Sequence, residues 1–426
     1  MLAREWGACG AVCAREPSAI GTQPRQRSDR QKKVQPLYLR HITLASSIGI
    51  GLAATLDALR ERRSGLAPCA FETVDLHTFV GQVADSALAP VREELHRFDG
   101  RNSRLAQLAL QQDGFLAAVA EARMRFGPSR VGVFLGTSTS GILETEFAYR
   151  RRNPHTGALP ADFEYAGRHN TYSLAAFVQT WLDLRGPSVV VSTACSSSVK
   201  VFAAAARAIA AGVCDAAVVG GADSLCLTAL YGFHALGLVS PAPCRPFDRE
   251  RSGISIGEGA GFALLVPEAG ATDLRLLGVG ESADAYHMST PHPDGLGARL
   301  AMQRALQSAR LDADGIDYIN LHGTATRTND ESEARAVHDL FGSVTPCSST
   351  KGWTGHGLGA SGILEAAICW LALRHGFMPG SCNTRERDPA LEVNYLLDNR
   401  SARVDRVMSN SFGFGGSNCS IVLGRA

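Results

Sequence analysis

Several chemistries are excluded by what this sequence does not contain. Formal net charge is only +1 at pH 7, so no field of one sign draws the chain to nucleic acid or a membrane surface. No uncharged apolar run approaches the roughly 18 residues of a membrane-spanning helix. The 11 cysteines are odd in number and form no CxxC pair, which argues against a disulfide framework or a zinc site. Cys214 in GVCDAAVV, Cys226 in SLCLTAL and Cys369 in AAICWLAL sit among small apolar residues, as reduced thiols of a cytoplasmic protein do. No GKS of a nucleotide phosphate loop is present.

What remains is an ordinary soluble composition, 45% hydrophobic and 19% charged over 426 residues. That length calls for two domains or two fused halves. Residues 1–36 stand apart. They carry Arg4, Arg15, Arg25, Arg27, Arg30, Lys32 and Lys33 without apolar periodicity or the apolar core of a signal peptide, and are expected to form a disordered leader.

After the leader, short β-branched runs alternate with Ala/Leu-rich stretches. Val131–Gly136, Ser188–Thr193 and Ala216–Gly221 predict buried strands. Tyr172–Asp183 and Ser197–Ala211 predict helices, the second so poor in polar residues that it must be covered on several sides. Phe262–Val266, Leu274–Ser282 and Ile316–Leu321 repeat the strand pattern, and Arg299–Ala309 and Gly362–Arg374 the helical one. The expectation is an α/β layered fold of two similar halves, 37–268 and 269–426, joined around Pro267–Thr272.

Four runs carry chemistry. In Ser192–Ser198 (STACSSS) a hydrophobic strand stops at small residues, presents Cys195 and enters the Ala-rich helix. A thiol at a helix N-terminus is expected to have a lowered pKa and to act as a nucleophile. His322 ends the strand IDYINL and is followed by GTAT. Alone it reads more readily as a hydrogen-bonded core histidine than as a catalytic one. The run KGWTGHGLGASG (351–362) sets His356 among glycines that let backbone approach a ligand closely. The run NSFGFGGSN (410–418) is compatible with a simple turn or with a movable aromatic gate.

Together with RPFDRERSGISIGEGAG (245–261), the runs TACSSS, HGTAT, KGWTGHGLGASG and NSFGFGGSN resemble, in order, those of the elongating beta-ketoacyl-acyl-carrier-protein synthases, members of the thiolase-like fold. The resemblance runs from about Leu39 to the end. It implies two βαβ-containing halves in an α-β-α-β-α arrangement. Cys195 would take an acyl group from the phosphopantetheine arm of an acyl carrier protein. His322 and His356 would stabilise the enolate formed as malonyl thioester loses carbon dioxide. Backbone N–H groups of Cys195 and Phe414 would form the oxyanion hole, with Phe414 also the gate. Lys351 and Glu333 match a charged pair that orders the site. Thr324 and Thr326 match threonines that bind the arm, and Gly136, Ser138, Ile142 and Phe412 fall where acyl substrate is lined.

The resemblance further implies no bound cofactor or metal and a homodimer, with a heterodimer with a chain-length-factor-like subunit as the alternative. Arg92, Arg97 and Arg101 are candidates for docking an acidic carrier, or an ordinary solvated face. Trp353 stands where a smaller or thioether side chain is common and is expected to narrow the malonyl site. Such departures favour a specialised polyketide or aryl-polyene-like pathway alongside fatty-acid elongation. A thiolase-like transferase without decarboxylation would need a second cysteine in the C-terminal glycine-rich turn, where Cys419 is near but Phe414 holds the key place. A pocket-shaping subunit would lack the nucleophile.

Overall fold

The computed structural model describes residues 36–270 and 274–425. Nearly all of the expected leader lies outside them. Of the twelve strands in the main sheet, ten build its two halves: β1 (Leu37–Ser46), β2 (Val131–Gly136), β3 (Ser188–Val191), β4 (Ala216–Asp223) and β5 (Gly259–Val266), then β6 (Leu274–Ala283), β7 (Tyr318–Asn320), β8 (Pro346–Ser348), β9 (Arg406–Gly413) and β10 (Ser417–Arg425). The short strands Gly49–Ile50 and Asn394–Tyr395 pair with β1 and β8. The first five lie side by side as β3-β2-β4-β5-β1 and the second five as β8-β7-β9-β10-β6. Pairing repeats as well. β2 is parallel to β3 and β4, and β7 is parallel to β8 and β9. β5 is antiparallel to β4 and β1, and β10 to β9 and β6. The two halves therefore share one topology, which the sequence had hinted at without visible identity between them. They fuse where Leu37–Leu39 of β1 pairs antiparallel with Leu274–Leu276 of β6.

Strand β2 is buried at every position. Its unbroken run VGVFLG is what a parallel strand covered on both faces requires. The helices around the sheet and the site include α1 (Ile142–Arg150), α2 (Ser173–Trp181), α3 (Ser197–Ala210), α4 (Leu227–Ala235), α5 (Leu296–Ala309), α6 (Arg327–Phe341) and α7 (Ser361–His375). Helix α2 ends two residues before its predicted limit, at a turn where Asp183 has φ +49°. Helices α3 and α7 pack on each other and on strands of both halves, forming the middle layer. Helix α2 covers one half from outside and α5 the other, which completes α-β-α-β-α. A middle-layer helix has no solvent face, hence the apolar character of α7 all round. Gly362 allows the close crossing: a Cβ there would lie 2.1 Å from Val199 Cγ2 of α3. Among the described residues no helix is long and apolar enough to cross a membrane.

Candidate active site

Catalytic candidates collect where the parallel strands of both halves end, the position at which open α/β sheets bind ligands. Cys195 follows β3, His322 follows β7, Lys351 and His356 follow β8, and Phe412 and Phe414 close β9. Sharp turns hold them there. Ala194, Ala325 and Leu358 all have positive φ, +52°, +68° and +53°, a conformation costly for residues with a Cβ and characteristic of sites that store strain.

The geometry converges on sulfur. His356 Nε2 lies 3.1 Å from Cys195 Sγ, and the two imidazoles stand 5.4 Å apart at 84°. The backbone N–H groups of Phe414 and of Cys195 itself stand near that sulfur and favour its thiolate. Each histidine's tautomer follows from its neighbours. The N–H of Leu358 donates to His356 Nδ1 at 3.2 Å, so that atom is an acceptor and the proton sits on Nε2. His356 Nδ1 also lies 2.8 Å from Ser361 Oγ. Lys351 Nζ lies 3.4 Å from His322 Nδ1 and, as an ammonium, can only donate. Both Nε2–H groups therefore face the substrate space as donors. Burial, reinforced by the charge of Lys351, holds both imidazoles well below their ordinary pKa, and hence neutral.

Three expectations are corrected. The partner of Lys351 is Glu365, not Glu333: Lys351 Nζ makes a buried ion pair with Glu365 and donates to His322 O at 2.5 Å. Glu333 instead accepts from the N–H groups of His322 at 2.8 Å and Gly323 at 2.7 Å, and burial pushes it up to about 7. It shapes the His322 turn from behind. Glu365 is the residue the sequence reading missed. Its signal was present, as a lone carboxylate inside the apolar run GILEAAICWLAL, an arrangement that requires a buried partner. The Cys195 thiol is not lowered: burial pushes it up to about 11, against the pull of Lys351 and of the two N–H donors. Trp353 is fully buried with Ile48, Leu59, Ile368 and Phe377, behind the site, and does not narrow it.

A cavity opens over this cluster. Thr324, Thr326, Phe412 and Phe414 line it, and the two threonine hydroxyls hydrogen-bond each other at 2.9 Å. The Phe414 ring rests on Phe233 of α4, 5.4 Å away, an aromatic contact that nothing in the surrounding sequence signalled. Gly136 and Ser138 do not line the cavity. Gly136 lies under α3, where a Cβ would meet the Ser197 carbonyl carbon at 2.4 Å, and Ser138 is tied to Asp223. Ile142 sits behind the wall, in an apolar cluster with Phe233 and Ile254. Arg101 is not available for docking. Its side chain is 11% exposed and held by buried Glu258 at 2.6 Å and by Asp85. Arg92, stacked over Trp181, and Arg97 are exposed but away from the cavity lining. Cys419 is buried in β10 and is likewise not part of the lining.

Sγ of Cys195 and one ring nitrogen from each of His322 and His356 lie within 4.8 Å of one another, a spacing a soft divalent ion accepts. Coordination there would use the Nε2 lone pairs, and those nitrogens carry the protons. The donor set suits an oxyanion better than a metal.

Comparison with known proteins agrees with this geometry. Residues 42–271 match the model of the beta-ketoacyl synthase N-terminal domain and residues 275–385 that of its C-terminal domain. The chain is 36% identical over 386 residues to nodulation protein E of Rhizobium meliloti (strain 1021), across 86% of this chain and 93% of that one. It is 37% identical over 314 residues to 3-oxoacyl-[acyl-carrier-protein] synthase 2 of Coxiella burnetii, across 70% and 75%. Among solved structures, a ketosynthase in complex with its chain length factor from Xenorhabdus doucetiae matches with TM-score 0.84 and 36% identity, over 96% of this chain and 100% of that one.

Proposed function

The chain belongs to the beta-ketoacyl synthase family, and from that premise we propose that it condenses an acyl group held on Cys195 with malonyl-acyl carrier protein, losing carbon dioxide, in fatty-acid or specialised chain elongation. The observation that carries this reading is one buried thiol with His356 Nε2 at 3.1 Å and a second neutral imidazole, His322, within 4.8 Å.

Cys195 attacks the acyl thioester of the carrier's phosphopantetheine arm, the C–S bond to the arm breaks, and the departing pantetheine thiolate takes up the thiol proton. The malonyl thioester then places its carbonyl oxygen between the Nε2–H groups of His322 and His356. Loss of carbon dioxide leaves an enolate on that oxygen, which neutral donors stabilise without giving it a full proton. The enolate carbon attacks the acyl-Cys195 carbonyl, whose oxygen takes the N–H groups of Cys195 and Phe414. Collapse releases the beta-ketoacyl carrier thioester and the Cys195 thiolate, which is reprotonated. Lys351, held by Glu365, keeps His322 Nδ1 an acceptor and so its proton on Nε2. Thr324 and Thr326 take the arm, while Phe414 and Phe233 close the acyl side until it loads.

We place the division of the chain between β5 and β6, and the protein in the cytoplasm, a reading the unpaired cysteines among the described residues support. β3 is the outermost strand of its half and exposes Val189. An apolar edge of this kind calls for cover, and a second copy of the chain fits it. A chain-length-factor-like subunit is the alternative, favoured by the likeness to the Xenorhabdus ketosynthase.

Intact mass after mixing with a panel of acyl-carrier proteins, followed by a malonyl-carrier chase, tests the reaction. Wild type should form an acyl adduct that malonyl discharges as a beta-ketoacyl product. Cys195→Ala should form none, and His322→Ala and His356→Ala should load but discharge on the order of 100-fold more slowly. Undiminished condensation by Cys195→Ala would sink the mechanism.

A further inference from the structure

With Arg101 taken by Glu258, the positive charge at the mouth of the cavity must come from elsewhere. A second recess adjoins the cavity and shares Leu238, Thr326 and Thr328 with it. Gly237, Arg251, Ser252, Gly253 and Arg327 line the remainder. Arg251 is buried, with Asp388 on one nitrogen at 2.6 Å, Glu331 on another at 3.3 Å and buried Asp330 at 3.7 Å from its Nε. Arg327 differs. It is exposed at the start of α6 and makes no hydrogen bond or ion pair among the described residues. Its field reaches Asp388, which Arg251 already engages. Nearby arginines are satisfied: Arg249 by Glu386 at 2.8 Å and Arg245 by Glu250 at 3.5 Å.

Building on the proposed condensation, we infer that Arg327 and the recess beside it receive the phosphate of the phosphopantetheine arm. A guanidinium presents a planar fork that matches two phosphate oxygens, and Thr328 adds a hydroxyl. The route is continuous. The thioester end reaches Cys195, the amides of the arm pass Thr324 and Thr326, and the phosphodiester comes to rest at Arg327, outside the threonine pair. Arg327 is thus a positioning residue: it sets how far the arm enters and takes no part in bond-making.

Acylation of Cys195 should be timed by intact mass with three donors bearing the same acyl group: the carrier protein, free phosphopantetheine and pantetheine. Wild type should favour phosphopantetheine over pantetheine by roughly tenfold, the value of one charge-assisted contact. Arg327→Ala should bring that ratio near one, and Arg327→Lys should restore part of it. The ratio is taken within one preparation, so the folded fraction cancels. A ratio unchanged by Arg327→Ala would overturn the inference, and if carrier-borne acylation alone fell, the true contact would be a carboxylate on the carrier surface. No acylation from any of the three donors would remove the condensation reading and this inference with it.

Discussion

Glu365 is the buried charge in a helix otherwise built for the interior, and it is tolerated because Lys351 Nζ meets it there. The pair lies behind the histidines and orients rather than reacts. Removing one partner strands the other in a medium that cannot solvate it, at a cost of about 3–5 kcal/mol. We therefore expect Glu365→Leu and Lys351→Met each to lower stability by that order in urea titration. The double variant should lose much less than the sum, while its condensation stays slow because His322 Nδ1 has lost its donor. Simple additivity would show that the pair is not coupled. The cysteine teaches the same lesson in reverse. Its position at the entrance to a helix was legible in the order strand, small residues, Cys, helix. The rise of its pKa to about 11 was not, because desolvation depends on what covers the sulfur, and that cover comes from distant segments.

At the scale of elements, the site depends on how closely α3 and α7 cross. Cys195 stands just before α3, and His356 just before α7. Gly362 and Val199 are the contact. Gly362→Ala should push the helices apart and cost roughly 1–3 kcal/mol, the range for overpacking a dense core. Val199→Ala in the same chain should recover part of it, seen in urea midpoints and in the acylation rate of Cys195. If Gly362→Ala were neutral in both, the crossing would not set the geometry. Most helices and strands around this crossing were legible from apolar patterning alone, since α3 and α7 are long, mostly apolar runs and β2 a hydrophobic hexamer. The ring contact of Phe233 with Phe414 was not legible: Phe233 lies in LTALYGFHA, where any of several apolar residues could have faced Phe414.

For the whole molecule, the repeated strand order explains why one cysteine and one lysine occupy corresponding places. Cys195 follows β3 and Lys351 follows β8, each the outermost of the five corresponding strands of its half. The two halves present these ends to each other, and the cavity forms between them. The free edge at β3 makes a further prediction. Val189, 36% exposed in that strand, becomes in Val189→Glu a charge that pairing with any partner strand would bury. Sedimentation should then show association weakened on the order of 100-fold or more, consistent with a cost of several kcal/mol for a buried unpaired charge. Unchanged association would place the interface elsewhere.

The sequence by itself determined the family, the layered α/β class, and the nucleophile and two histidines as candidates. Those follow from local order: a short strand ending in small residues, a glycine-rich turn, a helix, repeated along the chain. Tertiary structure alone decided the partner of Lys351, the fate of Arg101 and Trp353, the protonation of the thiol, and the recess at Arg327. Each of these depends on which distant side chain removes water from a charge or leaves it exposed, and neither periodicity nor spacing along one chain carries that information.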